Sequence, residues 1–419
     1  MNIVIDPVRL SGAMLAPPSK SAAHRLLIAS ALAEQPTSLT LVEESEDTQA
    51  TRECLQALGA QCKRQGEILE IIPIGNGIAE AKLNCGESGS TLRFLLPVAA
   101  SLGRPVLFQG HGRLPERPLS SFREELQAHG CQFSAEKLPF VLSGKLRPGH
   151  FQLPGNISSQ FISGLLFALP LLEEDSQIEL SSNLESSGYV DLTREVLAQF
   201  GIVAEAEGRL FHIPGRQRYI SPRRAVVEGD WSNAAFYLVA AALSAPIEIR
   251  GLKLDSSQGD RRILHELRRF GAQVATENGR VTVSPGTLNG CRIDVAEIPD
   301  LLPILAVLGA FAKGETVLYN AARLRLKESD RLSSVREMLL ALGGKAEEQI
   351  DSLIVHGQEQ LSGGLVDSCN DHRIAMAAAI AACRCQKPVS IQNAQAVRKS
   401  WPQFFSVYSS LGGKAKDVI

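Results

Sequence analysis

The sequence predicts an α/β protein made of six copies of one unit of about 70 residues. Two interleaved series of positions predict it. The first is a set of helix starts at Ser19, Ser88, Ser158, Asp230, Asp300 and Asp371, spaced 69 to 72 residues apart. Each is a residue type that caps free N–H groups, and most lead into an apolar, charge-poor run, as at 164–172, 234–243 and 374–382. Helices apolar on every side belong in a core. The second series is a set of amphipathic helices ending at Gly59, Gly130, Gly201, Gly271, Gly343 and Gly412, again 69 to 72 residues apart. Glycine there accepts the left-handed conformation that ends a helix. Short alternating strands follow, as in 273–284, where Asn278-Gly279 reads as a hairpin tip.

Taken in order, the chain opens with a strand, Asn2–Asp6, that has no unit before it, and the sixth copy runs out at Ile419 before its closing strands. The economical solution puts the first strand in the sheet of the last unit. The chain then crosses between two halves near 16–19 and again near 222–230, which defines one domain of 1–18 with 229–419 and a second of 19–228. Both crossings lie beside capped helix starts, so a cleft between the halves closes on these motifs. An open six-unit solenoid satisfies the same spacing.

The 419 residues, 44% hydrophobic, suffice for two ordinary cores. A net charge of −2 argues against a nucleic-acid face. No run of eighteen apolar residues is present, so no membrane partner is expected. Strand-forming sequence from residue 2 leaves no room for a targeting peptide, and eight cysteines without framework spacing suggest reduced thiols. Together these features imply a cytoplasmic protein. Cys383 and Cys385 form a Cys-x-Cys without a matching histidine set, so no metal is expected. No phosphate-binding P-loop, dinucleotide fingerprint, serine elbow or zinc-protease motif occurs.

The chemistry-bearing residues gather at the helix starts. Pro17-Pro18 stops what precedes, Ser19 caps, and Lys20 and Arg25 follow. Cations at the positive end of a helix make sense if an anion sits among them; the plain alternative is a basic surface turn. Gly89 lets a ligand approach backbone closely, or only eases the turn, and Arg93 follows one turn in. Arg113 and Arg117 share a proline-braced loop, and arginine forks match carboxylate or phosphate oxygens. Ser158, Ser159 and Gln160 offer neutral donors, or a plain cap. Ser186, Ser187 and Tyr189 add hydroxyls. The densest stretch, 323–331, carries six charged groups: Arg323, Arg325, Lys327, Glu328, Asp330 and Arg331. A solvated loop is the usual reading of such a run, but 320–326 alternates like a strand and Ser329 reads as the cap of the next helix. Arg373 and Lys399 stand at further helix starts. Among these cations, Asp300 and Glu328 have no obvious structural task. The set describes a site for a multiply anionic substrate with proton transfers.

In Pro18-Ser19-Lys20-Ser21 with Arg25, 114–118, Ser158-Ser159-Gln160, 327–332 and Asn370-Asp371-His372-Arg373, the chain resembles the 3-phosphoshikimate 1-carboxyvinyltransferase (EPSP synthase) family along its whole length. The resemblance implies two similar domains, each of three βαβαββ units, with the active site in the cleft. It implies transfer of the enolpyruvyl group of phosphoenolpyruvate to the 5-hydroxyl of shikimate 3-phosphate, with release of phosphate, in the shikimate pathway. It assigns phosphoenolpyruvate to Lys20, Gly89, Arg117, Gln160, Arg331, Arg373 and Lys399. Shikimate 3-phosphate falls to Lys20, Ser21, Arg25, Ser158, Ser159, Gln160, Ser186, Asp300 and Lys327, with Tyr189 nearby. Asp300, Glu328 and Lys20 take the catalytic roles, Asp300 as base and Glu328 as acid. Neither cofactor nor metal is implied, the partners are the two small-molecule substrates, and the protein is expected to be a monomer. Two departures stand out: Arg323 where many members carry asparagine, and Glu87-Ser88-Gly89-Ser90-Thr91-Leu92-Arg93-Phe94 in place of the commoner Asn-Ala-Gly-Thr-Ala-Met-Arg-Pro. UDP-N-acetylglucosamine enolpyruvyl transferases carry Lys-Asn at the first motif and a catalytic-loop cysteine, where this chain has Lys20-Ser21 and a cysteine-free 113–118. RNA-terminal phosphate cyclases share related repeats but want a basic face. A non-catalytic anion-binding repeat protein has no use for both Asp300 and Glu328.

Overall fold

The computed structural model describes residues 1–75, 81–277 and 279–418, so Asn278 of the expected hairpin tip and Ile419 lie outside the described residues. The described residues form six four-stranded sheets and twelve α-helices, divided between two compact units. One is Met1–Pro17 with Glu228–Ile419, the other Pro18–Val227. Each unit has its own continuous apolar core.

The repeat is a β-α-β-α-β-β run. In one copy His150–Leu153 lies parallel to Ser176–Leu180, which pairs antiparallel with Leu210–Ile213, and Glu205–Glu207 closes the edge. Alternation decides which face turns in: Ser176, Ile178 and Leu180 are buried and the residues between them are not. The helices between strands differ as their sequences require. Every residue of Trp231–Leu243, Leu302–Ala310 and His372–Ala381 is buried, and these three helices pack on one another in the core of their unit. The amphipathic helices lie outside them, and the six glycines that follow those helices all take positive φ, between 74° and 110°.

Asn2–Asp6 pairs antiparallel with both Val389–Gln392 and Lys414–Val418, inside the sheet of the sixth copy. That copy therefore has a closing strand of its own, contrary to expectation, because the turn at Gly412 brings 414–418 back onto the sheet. A strand exchange accompanies the crossings. Gly12–Leu15 joins Ile247–Arg250 in the first unit, whereas Arg224–Val226 joins Thr37–Thr40 in the second.

Five of the six starts are capped by the expected side chain. Ser19 accepts from the Ala22 N–H, Ser88 from Thr91, Ser158 from Gln160, Asp230 from Asn233 and Asp371 from Arg373, at 2.7 to 3.3 Å. Asp300 departs from this pattern. It lies in a 3-10 turn, Pro299–Leu301, and makes no cap bond because its carboxylate is turned to cations. Two further readings are corrected. The strand stops at Tyr319, Asn320 takes φ 58°, and Ala322–Leu326 is a 3-10 turn, so the left-handed residue directs the chain out of the sheet. Asp330, not Ser329, caps Arg331–Ala341, because the Ser329 hydroxyl is spent on Asp371.

Candidate active site

In the unit Pro18–Val227, helix starts hold the cations. Lys20 Nζ lies 2.7 Å from Asp47 Oδ2. Arg25 is buried: Nε donates to Thr193 Oγ1 at 2.8 Å, Nη1 to the Ser21 carbonyl at 2.8 Å, and Nη2 to the Tyr189 carbonyl at 2.7 Å. Its guanidinium carbon sits 5.0 Å from the Phe94 ring centre, so the phenylalanine that replaces proline roofs the arginine. Burial lowers the Arg25 pKa to about 9, which leaves it charged at neutral pH. Arg25 thus ties the Lys20–Leu32 helix to Ser187–Gln199, a structural task that its assignment as a substrate contact did not foresee.

Gly89, Arg93, Arg117 and Gln160 converge. A Cβ on Gly89 would stand 2.7 Å from Arg117 Nη1 and 3.0 Å from Arg93 Nη1, so a larger residue here would push the guanidinium groups off this helix start. Arg93 Nη1 donates to Gln160 Oε1 at 2.7 Å, Nη2 reaches the Pro118 carbonyl at 3.2 Å, and Gln160 Nε2 donates to Ser90 Oγ at 2.8 Å. Arg93, read from the sequence as a cation one turn into this helix, therefore belongs to the array, and Ser90, which sequence reading did not single out, joins it. Ser158 and Ser159 open the Gln160 helix, and Ser186, buried with φ 56°, opens the next.

In the other unit Arg331 is the centre of a buried ionic knot. Nε donates to Asp371 Oδ2 at 2.8 Å, Nη1 to Asp300 Oδ1 at 2.6 Å and Nη2 to Glu328 Oε2 at 2.7 Å. Arg373 Nη2 lies 3.2 Å from Asp300 Oδ2, and Lys327 Nζ 3.7 Å from Asp300 Oδ1. Asp371, wholly buried, also accepts from Ser329 Oγ at 3.0 Å and the Arg373 N–H at 2.9 Å. Lys399 Nζ donates to the Asn370 carbonyl at 2.7 Å. Arg323, the departure from asparagine, donates to the Ala296 carbonyl. Asp371 read from the sequence as a cap only; the arginine two residues after it and the Arg331 motif were the available hint of its second task.

The charges set the chemistry. Burial alone would raise the Asp300 pKa, but Arg373, Lys327 and Arg331 together hold it well below 3.8. Burial pulls Lys327 down to about 8, with Asp300 opposing. Arg331, despite burial, holds its proton more tightly than usual because Asp371, Glu328 and Asp300 surround it. The knot holds three carboxylates on one guanidinium, flanked by further cations, which suits proton transfer beside an anion.

The fold is that of an enolpyruvyl transferase: NikO, the enolpyruvyl transferase from Streptomyces tendae, superposes with a TM-score of 0.80 over 99% of this chain and 98% of that one, at 19% identity. The model of the EPSP synthase (3-phosphoshikimate 1-carboxyvinyltransferase) family matches residues 4–408, and the chain belongs to this family. It is 43% identical to the 3-phosphoshikimate 1-carboxyvinyltransferase of Clostridium kluyveri, over 98% of this chain and 97% of the relative. It is 41% identical to the protein of that name from Clostridioides difficile, over 99% and 98%. An EPSP synthase from Acinetobacter baumannii superposes with a TM-score of 0.84 at 25% identity, covering 99% of this chain and all of that one. No described helix is long and apolar enough to cross a membrane.

Proposed function

We infer that the chain transfers the enolpyruvyl group of phosphoenolpyruvate to the 5-hydroxyl of shikimate 3-phosphate and releases phosphate, a step of aromatic amino-acid biosynthesis. The observation that carries this reading is the Arg331 fork, with Asp300 and Glu328 held on its two terminal nitrogens. Glu328 delivers a proton to the methylene carbon while Asp300 takes the proton of the attacking hydroxyl, giving a tetrahedral intermediate. The methyl carbon then returns a proton to the Glu328 carboxylate as the C2–O bond breaks, and phosphate leaves with the electron pair of that bond. Lys20, Gly89, Arg117, Gln160, Arg331, Arg373 and Lys399 receive phosphoenolpyruvate, and Lys20, Ser21, Arg25, Ser158, Ser159, Gln160, Ser186, Asp300 and Lys327 receive shikimate 3-phosphate.

Asp300 starts as a weak base, held down by Arg373, Lys327 and Arg331. Anionic substrates beside Arg373 and Lys327 offset those cations, so Asp300 gains basicity when the site is loaded and the acid–base match improves. We also place the protein in the cytoplasm as a monomer; its eight free cysteines support a reducing compartment. Phosphate release from phosphoenolpyruvate, measured with shikimate 3-phosphate and separately with UDP-N-acetylglucosamine, tests the assignment. Release with the first acceptor alone is expected; release with the second alone would overturn it. Light scattering in solution checks the oligomeric state.

A further inference from the structure

The first turn of the Gly89–Ser101 helix is held from inside the core by side chains that the reaction does not use. His24 Nδ1 lies 2.7 Å from Thr51 Oγ1, Thr51 Oγ1 lies 2.7 Å from Thr91 Oγ1, and Thr91 Oγ1 lies 2.7 Å from Ser88 Oγ. All four residues are buried. Ser88 Oγ also accepts the Thr91 N–H and so caps the helix.

Counting hydrogens sets the direction of this chain, since each hydroxyl has one to give. Thr91 gives its hydrogen to Ser88 Oγ at 2.7 Å; the Asp47 carbonyl, at 3.3 Å, is the poorer acceptor. Thr51 must then donate to Thr91, which leaves His24 Nδ1 as the donor to Thr51. The hydrogen of a neutral His24 therefore sits on Nδ1, and Nε2 is a bare acceptor with no partner among the described residues. A charged ring would place an unpaired N–H in the core near Lys20 and Arg25. Burial first, then those two cations, hold the His24 pKa well below 6.5.

We propose that His24 is a positioning residue for phosphoenolpyruvate binding: its Nδ1–H starts a one-way hydrogen-bond chain through Thr51 and Thr91 that fixes the Ser88 cap and the backbone of Gly89 and Ser90. The inference rests on the reading that this helix start receives phosphoenolpyruvate. Tolerances in front of the turn are small, because Gly89 lies under Arg117 and Ser90 meets Gln160. Ser88 and Thr91 stand where the commoner family motif has alanines, so the device belongs to sequences that place hydroxyls at both positions.

The test measures kcat and KM for each substrate by phosphate release. Thr91→Val keeps shape and removes the hydroxyl, whereas Thr91→Ser keeps it; His24→Leu and His24→Asn do the same for the donor. Losing one hydrogen bond of this chain is expected to raise KM for phosphoenolpyruvate about tenfold in the Val and Leu variants. KM for shikimate 3-phosphate and kcat should change less than about threefold, and the Ser and Asn variants should recover most of the loss. Nitrogen-15 NMR should find His24 protonated on Nδ1. An unchanged KM for phosphoenolpyruvate, equal rises in both KM values, no recovery with Thr91→Ser, or a proton on Nε2 overturns the proposal. If His24→Leu does not fold, the Thr91 pair decides. A wild-type protein that releases no phosphate refutes the underlying reading instead, and the tautomer still decides the direction of the chain.

Discussion

In the unit Pro18–Val227, Arg25 donates to the neutral oxygens of Thr193, Tyr189 and Ser21, Arg93 donates to those of Gln160 and Pro118, and Lys20 is paired with the single carboxylate of Asp47. In the other unit, Lys327, Arg331 and Arg373 are interlocked with Asp300, Glu328 and Asp371. Both arrays stand at helix starts of the same repeat, yet they are suited to different work. A cation held by neutral acceptors keeps its field for a ligand. A cation shared among carboxylates fixes their positions and shifts their proton affinity. On the proposed reading both arrays bind substrate, and the second also carries the proton transfers.

The harshest way to break that contrast is Arg331→Leu. Three carboxylates would lose their common partner in a buried site, which costs about 3–5 kcal/mol. Denaturant unfolding should show this loss, and a variant of unchanged stability would make Arg331 a ligand contact alone. Next comes Glu328→Gln, which keeps size and hydrogen bonding but removes the transferable proton. Turnover should fall on the order of 10²–10⁴-fold, with solvent-hydrogen exchange into the methyl group of the intermediate falling in parallel. Near-normal turnover would assign the proton to another group.

Arg117→Ala probes the first array and should act on affinity. Losing a bond to a charged group costs about 1.5–3 kcal/mol, so phosphoenolpyruvate should bind roughly ten- to a hundredfold more weakly, with shikimate 3-phosphate much less affected. Calorimetry separates this from a loop brace, which would change stability and leave affinity alone. The smallest effect is a pH dependence at Lys327, whose pKa is about 8 in the folded chain against an ordinary 10.5. Between those values the unfolded chain holds the proton and the folded one does not, so this group adds stability as pH rises. Affinity for shikimate 3-phosphate should move the other way, falling above about pH 8 by less than tenfold per unit. Lys327→Met should flatten both slopes; persistence of the affinity slope would point to a different group.

The repeat was legible because its marks are local: a capping oxygen and a glycine that tolerates positive φ. Gly59 through Gly412 all adopt it, and the strand Asn2–Asp6 sits in the sixth sheet as the count required. The site was legible as a list of charges and less so as a set of partners. At a helix start, an aspartate that caps and one that faces cations look alike in sequence. Asp230 does the first, Asp300 the second, and Asp371 both. The 3-10 turn at Ala322–Leu326 was hidden because its alternation imitates a strand and only the left-handed Asn320 interrupts it. The exchange of Gly12–Leu15 and Arg224–Val226 depends on partners more than 180 residues away, which local pattern does not report.

The antiparallel ladder that sets Asn2 opposite Val418 has a topological consequence. The two ends of the chain are neighbours on adjacent strands, so a short linker can join them. Opening the joined ring between Val227 and Glu228 would give a circular permutant that runs from 228 through 419 and 1 to 17, and then from 18 to 227. Each compact unit would then be a single uninterrupted stretch, and the backbone would pass between them once instead of twice. All six sheets would keep their strand pairs, so the double passage follows from the order of the segments along the chain rather than from what the sheets require.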